Sequence, residues 1–207
     1  MPTMPSLLYA LLWVGFGAGH SLFASAPGRR WLRRAGGSAD RLAYNLIALA
    51  HLSFVLAAGR WLFLGAGGFS IPPGLRFGMA AVSLAGLLVL AIAGRSYDLG
   101  RFAGITQLRR RTPEAELPAE SLATGGMNAL VRHPLYLGLL MLLWGSAVSP
   151  FALATATCAS TYILIGIRFE ERKLTRLYGP AYGAYRARVP MLLPSPRRLP
   201  DLLRGRR

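Results

Sequence analysis

The chain has 207 residues, 53% of them hydrophobic and only 15% charged, where an average soluble domain carries about 25% charged residues. Apolar content this high, gathered in long runs, excludes a soluble globular domain and a disordered chain alike. A lone cysteine, Cys158, excludes a disulfide framework and a C-x-x-C zinc site, while the net charge of +16 calls for an anionic partner or surface.

In chain order, five apolar runs read as membrane spans: residues 7–23, 42–64, 75–93, 135–148 and 151–167. A spanning helix needs about 20 apolar residues, which the first three runs meet or nearly meet. The last two are short and are separated only by Ser149-Pro150. They read as a helical hairpin that thins the bilayer, starts earlier in the chain or rests on neighbouring helices. Ala24-Ser25-Ala26 imitates an export cleavage site, but residues 1–6 carry no positive side chain and the arginine cluster follows the apolar run. A retained anchor is therefore expected.

Charge placement orients the spans. Of the 24 Lys and Arg, all but Arg60 and Arg76 fall on one side, together with all eight acidic residues. Positive residues gather on the cytoplasmic side of membrane helices, which puts the N-terminus outside and the C-terminus inside. Anionic lipid headgroups then supply the counter-charge, and no nucleic acid is needed. The segment 101–132, with Pro113, Glu114, Glu116, Pro118 and Glu120, reads as a mobile connection. The tail from Arg168 has room for one or two helices before Pro190, Pro194, Pro196 and Pro200 end regular structure.

Polar groups beside a membrane are costly and are functional candidates. The densest set lies in the last third. Arg132-His133-Pro134-Leu135-Tyr136-Leu137-Gly138 opens the fourth run, and Glu170-Glu171-Arg172 follows the fifth. A hairpin brings those two ends together, so a His, a Tyr, two carboxylates and several Arg are expected to line one pocket facing the cytoplasm. Pro134 suits a first helical turn, and the residues before it would offer backbone N–H groups and the positive end of a helix dipole to an anion. Gly138 admits a ligand or a second helix. Tyr178, Tyr182 and Tyr185 recur at i, i+4 and i+7, one helical face that would lie along the membrane surface and cover the pocket. Gly86 and Gly94 read as helix contacts. His20 and His51 lie within spans; they lack metal-ligand spacing, so no metal is expected, and they read either as interhelical hydrogen-bond partners or as part of an acceptor pocket.

The order R-H-P-L-Y-L-G, E-E-R-x-L, Y-G-x-x-Y-x-x-Y-x-x-R-V-P over residues 124–194 resembles the isoprenylcysteine carboxyl methyltransferase superfamily. The N-terminal half, through Gly19-His20-Ser21-Leu22-Phe23-Ala24-Ser25, Tyr44-Asn45-Leu46 and Arg95-Ser96-Tyr97-Asp98-Leu99, is similar to NnrU-like and methanethiol S-methyltransferase-like membrane proteins. The resemblance implies an all-α integral membrane methyltransferase using S-adenosyl-L-methionine. Its map would be a three-helix membrane region (1–100), a cytoplasmic loop (101–123), a catalytic core of hairpin and tail helix (124–195) and a basic tail (196–207). It implies Arg132, His133, Pro134, Tyr136, Gly138, Glu170 and Tyr185 for the cofactor and Glu170, Glu171 and Arg172 for catalysis; His20 and His51, by their place in the spans, are the candidates for binding the acceptor, a small or lipophilic thiol or carboxylate. The expected location is a bacterial inner membrane. A nicotinamide-dependent membrane reductase and a non-catalytic NnrU-like protein remain the alternatives, and the oligomeric state is left open.

Overall fold

The computed structural model describes residues 4–118 and 120–194. Among them the chain is helical, with no strand: α1 Met4–Ala24, α2 Ala26–Gly36, α3 Asp40–Leu62, α4 Pro73–Gly94, α5 Leu99–Ala103, α6 Ile105–Arg110, α7 Pro134–Gly145, α8 Pro150–Tyr178 and α9 Pro180–Arg188, with short 3-10 turns between some of them. Four helical stretches are long and apolar enough to cross a membrane: α1, α3 together with the α2 that leads into it, α4 and α8. Their outward faces are apolar, with Val14 68%, Phe77 78% and Ile165 53% exposed, as a lipid-facing surface requires. The protein is thus an all-α membrane protein. The fifth expected span, α7, has only 12 residues, about 18 Å of helix against a hydrocarbon core of about 30 Å.

Two compact units interleave along the sequence. The first comprises Met1–Phe69, Tyr97–Glu120 and Ser149–Ala159; the second comprises Ser70–Ser96, Ser121–Val148 and Ser160–Arg207. In the first, α1 lies against α3 around Tyr9, which is fully buried. Its ring occupies the space a side chain at Gly59 would fill, and it meets Trp13 and Phe63 edge-on. The Tyr9 hydroxyl is satisfied by Thr155 Oγ1 at 2.9 Å. The expected mobile connection is folded instead. Asp98 caps α5, Gly104 turns the chain with φ 90° beside Leu42, and α6 ends at Arg111 in the left-handed region. Arg101 then grips Glu114 at 3.0 Å and Glu120 at 3.4 Å, and the buried Gln107 donates to Glu114.

The second unit is built on α4 against α7. A Cβ on Gly86 would lie 2.7 Å from the carbonyl oxygen of Gly138, and one on Gly145 would lie 2.6 Å from that of Met79. Small residues let the two backbones touch, and Ser83 bridges to Ser146 at 3.1 Å. This resolves how so short an apolar helix is accommodated: it rests on a neighbour. Gly94 differs from its expectation, because nothing lies within 4 Å of its Cβ position.

Candidate active site

Everything assembled here belongs to the second unit. α7 begins at Pro134, whose missing N–H costs nothing in the first turn. The chain before it is held by the tail: Arg132 N–H donates to Pro190 O at 2.9 Å and His133 N–H to Met191 O at 3.2 Å. Those two amides, expected to be open to an anion, are therefore occupied.

The apolar part of α8 ends at Ile167, and the helix runs on as a charged extension to Tyr178. Glu171 on that extension is the hub. Its Oε1 accepts from Arg132 Nε at 2.7 Å and pairs with Nη2 at 2.6 Å, while His133 Nε2 lies 3.3 Å away. Arg186 of α9 stands 3.6 Å from Oε2. Glu171 and Arg132 side chains are 11% and 9% exposed, so this pair is largely removed from water. Burial pushes the Glu171 carboxyl up, but Arg132 and His133 outweigh it and hold the carboxyl below its usual range. An ionised carboxylate only accepts, so His133 Nε2 carries the hydrogen.

Glu170 differs sharply from its neighbour. Its side chain is 41% exposed, and its Oε2 lies 3.9 Å from His133 Nδ1. Glu170 and Glu171 thus stand one at each ring nitrogen of His133, and the half-exposed Glu170 carboxylate is the one open to a further donor. Tyr136 lies one turn into α7 with its ring 5.7 Å from the His133 ring.

The tail closes the cluster. Gly179, φ 53°, breaks the helix between Tyr178 and Pro180, so the three tyrosines do not share one continuous helical face as expected. They converge all the same: Tyr182 and Tyr185 are buried with Val189, and Tyr178, Leu174 and Leu122 pack against them. They form a core rather than a membrane-surface face. Tyr185 donates to Asn128 O at 2.7 Å, so its hydroxyl serves the fold. The Tyr182 hydroxyl and Asn128 Oδ1 are both buried without a hydrogen-bond partner of good geometry. Burial, reinforced by the charge of Glu171, pushes the Tyr182 hydroxyl up to about 12.

Arg132, His133, Pro134, Tyr136, Glu170, Glu171 and Tyr185 thus come together as the sequence motifs suggest. Two others part from them. Gly138 is accounted for by helix packing: Leu90 Cγ lies 2.8 Å and Gly86 O 2.9 Å from its Cβ position. Arg172 points along another face of α8, exposed, with its guanidinium 5.9 Å from the Phe169 ring centre. Asn128 and Arg186 escaped the sequence reading. Arg186 follows Tyr182 by four residues, the spacing that puts both on one face of α9.

His20 and His51 belong to the first unit. The Tyr44 hydroxyl lies 2.6 Å from His20 Nε2, which supports the hydrogen-bond reading for that residue. The His51 ring packs edge-on to Phe16 and over Gly19. With Tyr44 they line a cavity of about 10 Å³, room for a water-sized group.

No protein-family model matches the chain. It is similar to curated proteins named methanethiol S-methyltransferase. One, methanethiol S-methyltransferase 2 of Bradyrhizobium diazoefficiens, is 41% identical over 38% of this chain and 31% of its own length. Methanethiol S-methyltransferase 1 of the same organism is 28% identical over 91% of this chain and 66% of its own length. A third, from Pseudomonas sp. (strain GM41(2012)), is 29% identical over 91% of this chain and 73% of its own length. The chain therefore spans less than two thirds of the first two. No solved structure matches. These likenesses place it among relatives of membrane methyltransferase-like proteins.

Proposed function

We propose that the chain is a membrane methyltransferase that moves the methyl group of S-adenosyl-L-methionine to a small thiol, with its site at the cytoplasmic face of a bacterial inner membrane. The thiol is read from the names of the relatives, and the cytoplasmic face from the arginine distribution. The observation that carries the reading is the convergence of Arg132, His133 and Glu171 with the half-exposed Glu170 carboxylate, whose Oε2 stands 3.9 Å from His133 Nδ1. The exposed edge of the Glu170 carboxylate would accept from an amino-acid ammonium group. Asn128 Oδ1, buried in the same unit without a hydrogen-bond partner, offers a further polar partner, so the residues present suit such a compound.

When bound, the cofactor supplies a methyl group already activated by its sulfonium charge. The chain's own task is then alignment and exclusion of water. Glu171 does not meet the ligand in this reading. It locks Arg132 and His133 in place.

Isothermal titration of detergent-purified protein with S-adenosyl-L-methionine tests the reading. Glu170→Gln and His133→Ala should each weaken binding by about 10-fold or more, the loss of a charge-assisted bond of roughly 1.5–3 kcal/mol. Unchanged affinity in both removes the site assignment. The same titration with a reduced nicotinamide cofactor decides the reductase alternative.

A further inference from the structure

We infer that the first unit carries an interfacial belt, made of α2 and α5–α6, that lies in the headgroup layer and selects anionic phospholipid. Both parts sit at the same end of the α1–α3 pair. α2 follows α1 directly through the Ser25 cap. α5–α6 is fastened to the start of α3: Asn45 donates to Phe102 O at 2.8 Å, Arg41 Nε donates to the same oxygen at 3.3 Å, and Gly104 abuts Leu42.

α2 is strongly amphipathic. Leu32 is buried in the unit at 4% exposure, whereas Trp31 is 58% exposed, its ring 6.1 Å from that of Phe23 at the end of α1. Around them stand Arg29, Arg30, Arg33 and Arg34, with no acidic residue on the helix. Arg29 is turned back to cap α1, donating to Ala24 O at 3.0 Å. A short helix of basic residues with an outward tryptophan has the composition of a segment lying in a membrane interface.

α5–α6 repeats the pattern independently. Leu99, Phe102, Ile105 and Leu108 are 61%, 59%, 44% and 45% exposed. Four exposed large apolar side chains on two short helices would be costly in water but not at the acyl boundary. The arginines at 109–111 follow at once, all exposed. Interior fastening is left to other groups: Arg101 and Gln107 turn inward to Glu114. Apolar anchors are thus interleaved with seven outward or half-outward cations on the belt. The matching surface is an acyl layer under phosphate groups of negative charge.

The test uses the full chain in nanodiscs, once in phosphatidylcholine alone and once with phosphatidylglycerol added. A variant retaining Trp31 as its sole tryptophan, with Trp13, Trp61 and Trp144 replaced by Phe, reports position through quenching by lipids brominated at known depths. Quenching should be strongest from bromines nearest the headgroup. Phosphatidylglycerol should raise the unfolding midpoint, added salt should diminish that gain, and native mass spectrometry should find phosphatidylglycerol retained. Replacing Arg30, Arg33 and Arg34 by Gln should lower the retention of phosphatidylglycerol relative to phosphatidylcholine by at least about fivefold, the loss expected from one headgroup contact. The same change at Arg168 and Arg176 on α8 should leave Trp31 quenching as it was. A Trp31 open to aqueous acrylamide and untouched by brominated lipid overturns the inference even if the arginine variants misfold. So does equal retention of the two lipids by the native chain, or Trp31 protection that requires an added protein.

Discussion

Two charged knots hold this molecule, one in each unit, and they are tied differently. Arg101 and Glu114 are 13 residues apart and close a loop on itself, with Gln107 inside the same turn. Arg132 and Glu171 are 39 residues apart, and the Arg132 guanidinium also reaches the carbonyl oxygens of Arg186 and Val189. A local knot can only order the segment that contains it. A knot between distant segments fixes the start of α7, the extension of α8 and the tail against one another, which is what a binding site for a polar ligand needs.

The largest effect should come from cutting the distant knot. Glu171→Ala leaves Arg132 buried without a counter-charge, and unfolding in detergent should show a loss of about 3–5 kcal/mol. Next comes the glycine seam beneath it. Gly138→Val must push α4 away from α7 and should cost about 1–3 kcal/mol, whereas Gly94→Ala, with open space around it, should leave the unfolding midpoint unchanged or raise it. Tyr185→Phe deletes one buried hydrogen bond to Asn128 and should cost about 1 kcal/mol in the same assay. Cutting the local knot should be milder. Glu114→Gln involves partly exposed groups and should cost about 0.2–1 kcal/mol, seen chiefly as faster proteolysis within residues 101–120.

Acid sharpens the comparison least but has a definite sign. The folded Glu171 carboxyl lies below its unfolded value. Its contribution is present above the unfolded value of about 4.3 and is lost as pH falls through the lower folded one. An acid titration of stability should therefore lose a component below about pH 4, and Glu171→Gln should abolish that component.

The sequence made the distant knot easier to foresee than the local one. Arg132-His133 and Glu170-Glu171 flank two apolar runs joined by a two-residue gap, and a hairpin leaves such ends nowhere to go but together. Which carboxylate would be buried was not legible, because adjacent helical positions point about 100° apart and the orientation of α8 depends on what packs against it. The order of 101–120 was hidden because its prolines and glutamates look solvent-loving until Arg101 is known to turn inward. α2 was missed as a helix because its 11 residues include four arginines, two glycines and a proline, and its amphipathic face becomes visible only once Leu32 has a side to bury. Gly94 and Gly138 look alike in the sequence; only the neighbouring helix separates them. The tyrosines were placed on one helix because spacing alone cannot show that Gly179 turns the chain between the first and the other two.

The brevity of α7 also bears on how the protein is made. An insertion machine that admits segments one by one, on length and apolarity, has little reason to release about 18 Å of helix into lipid on its own. α7 must be retained until α8 has been synthesised behind it, and its lodging against α4 is a step of assembly rather than of threading. Ribosomes stalled just past Ser149 should hold a fourth apolar helix that has not yet left the channel.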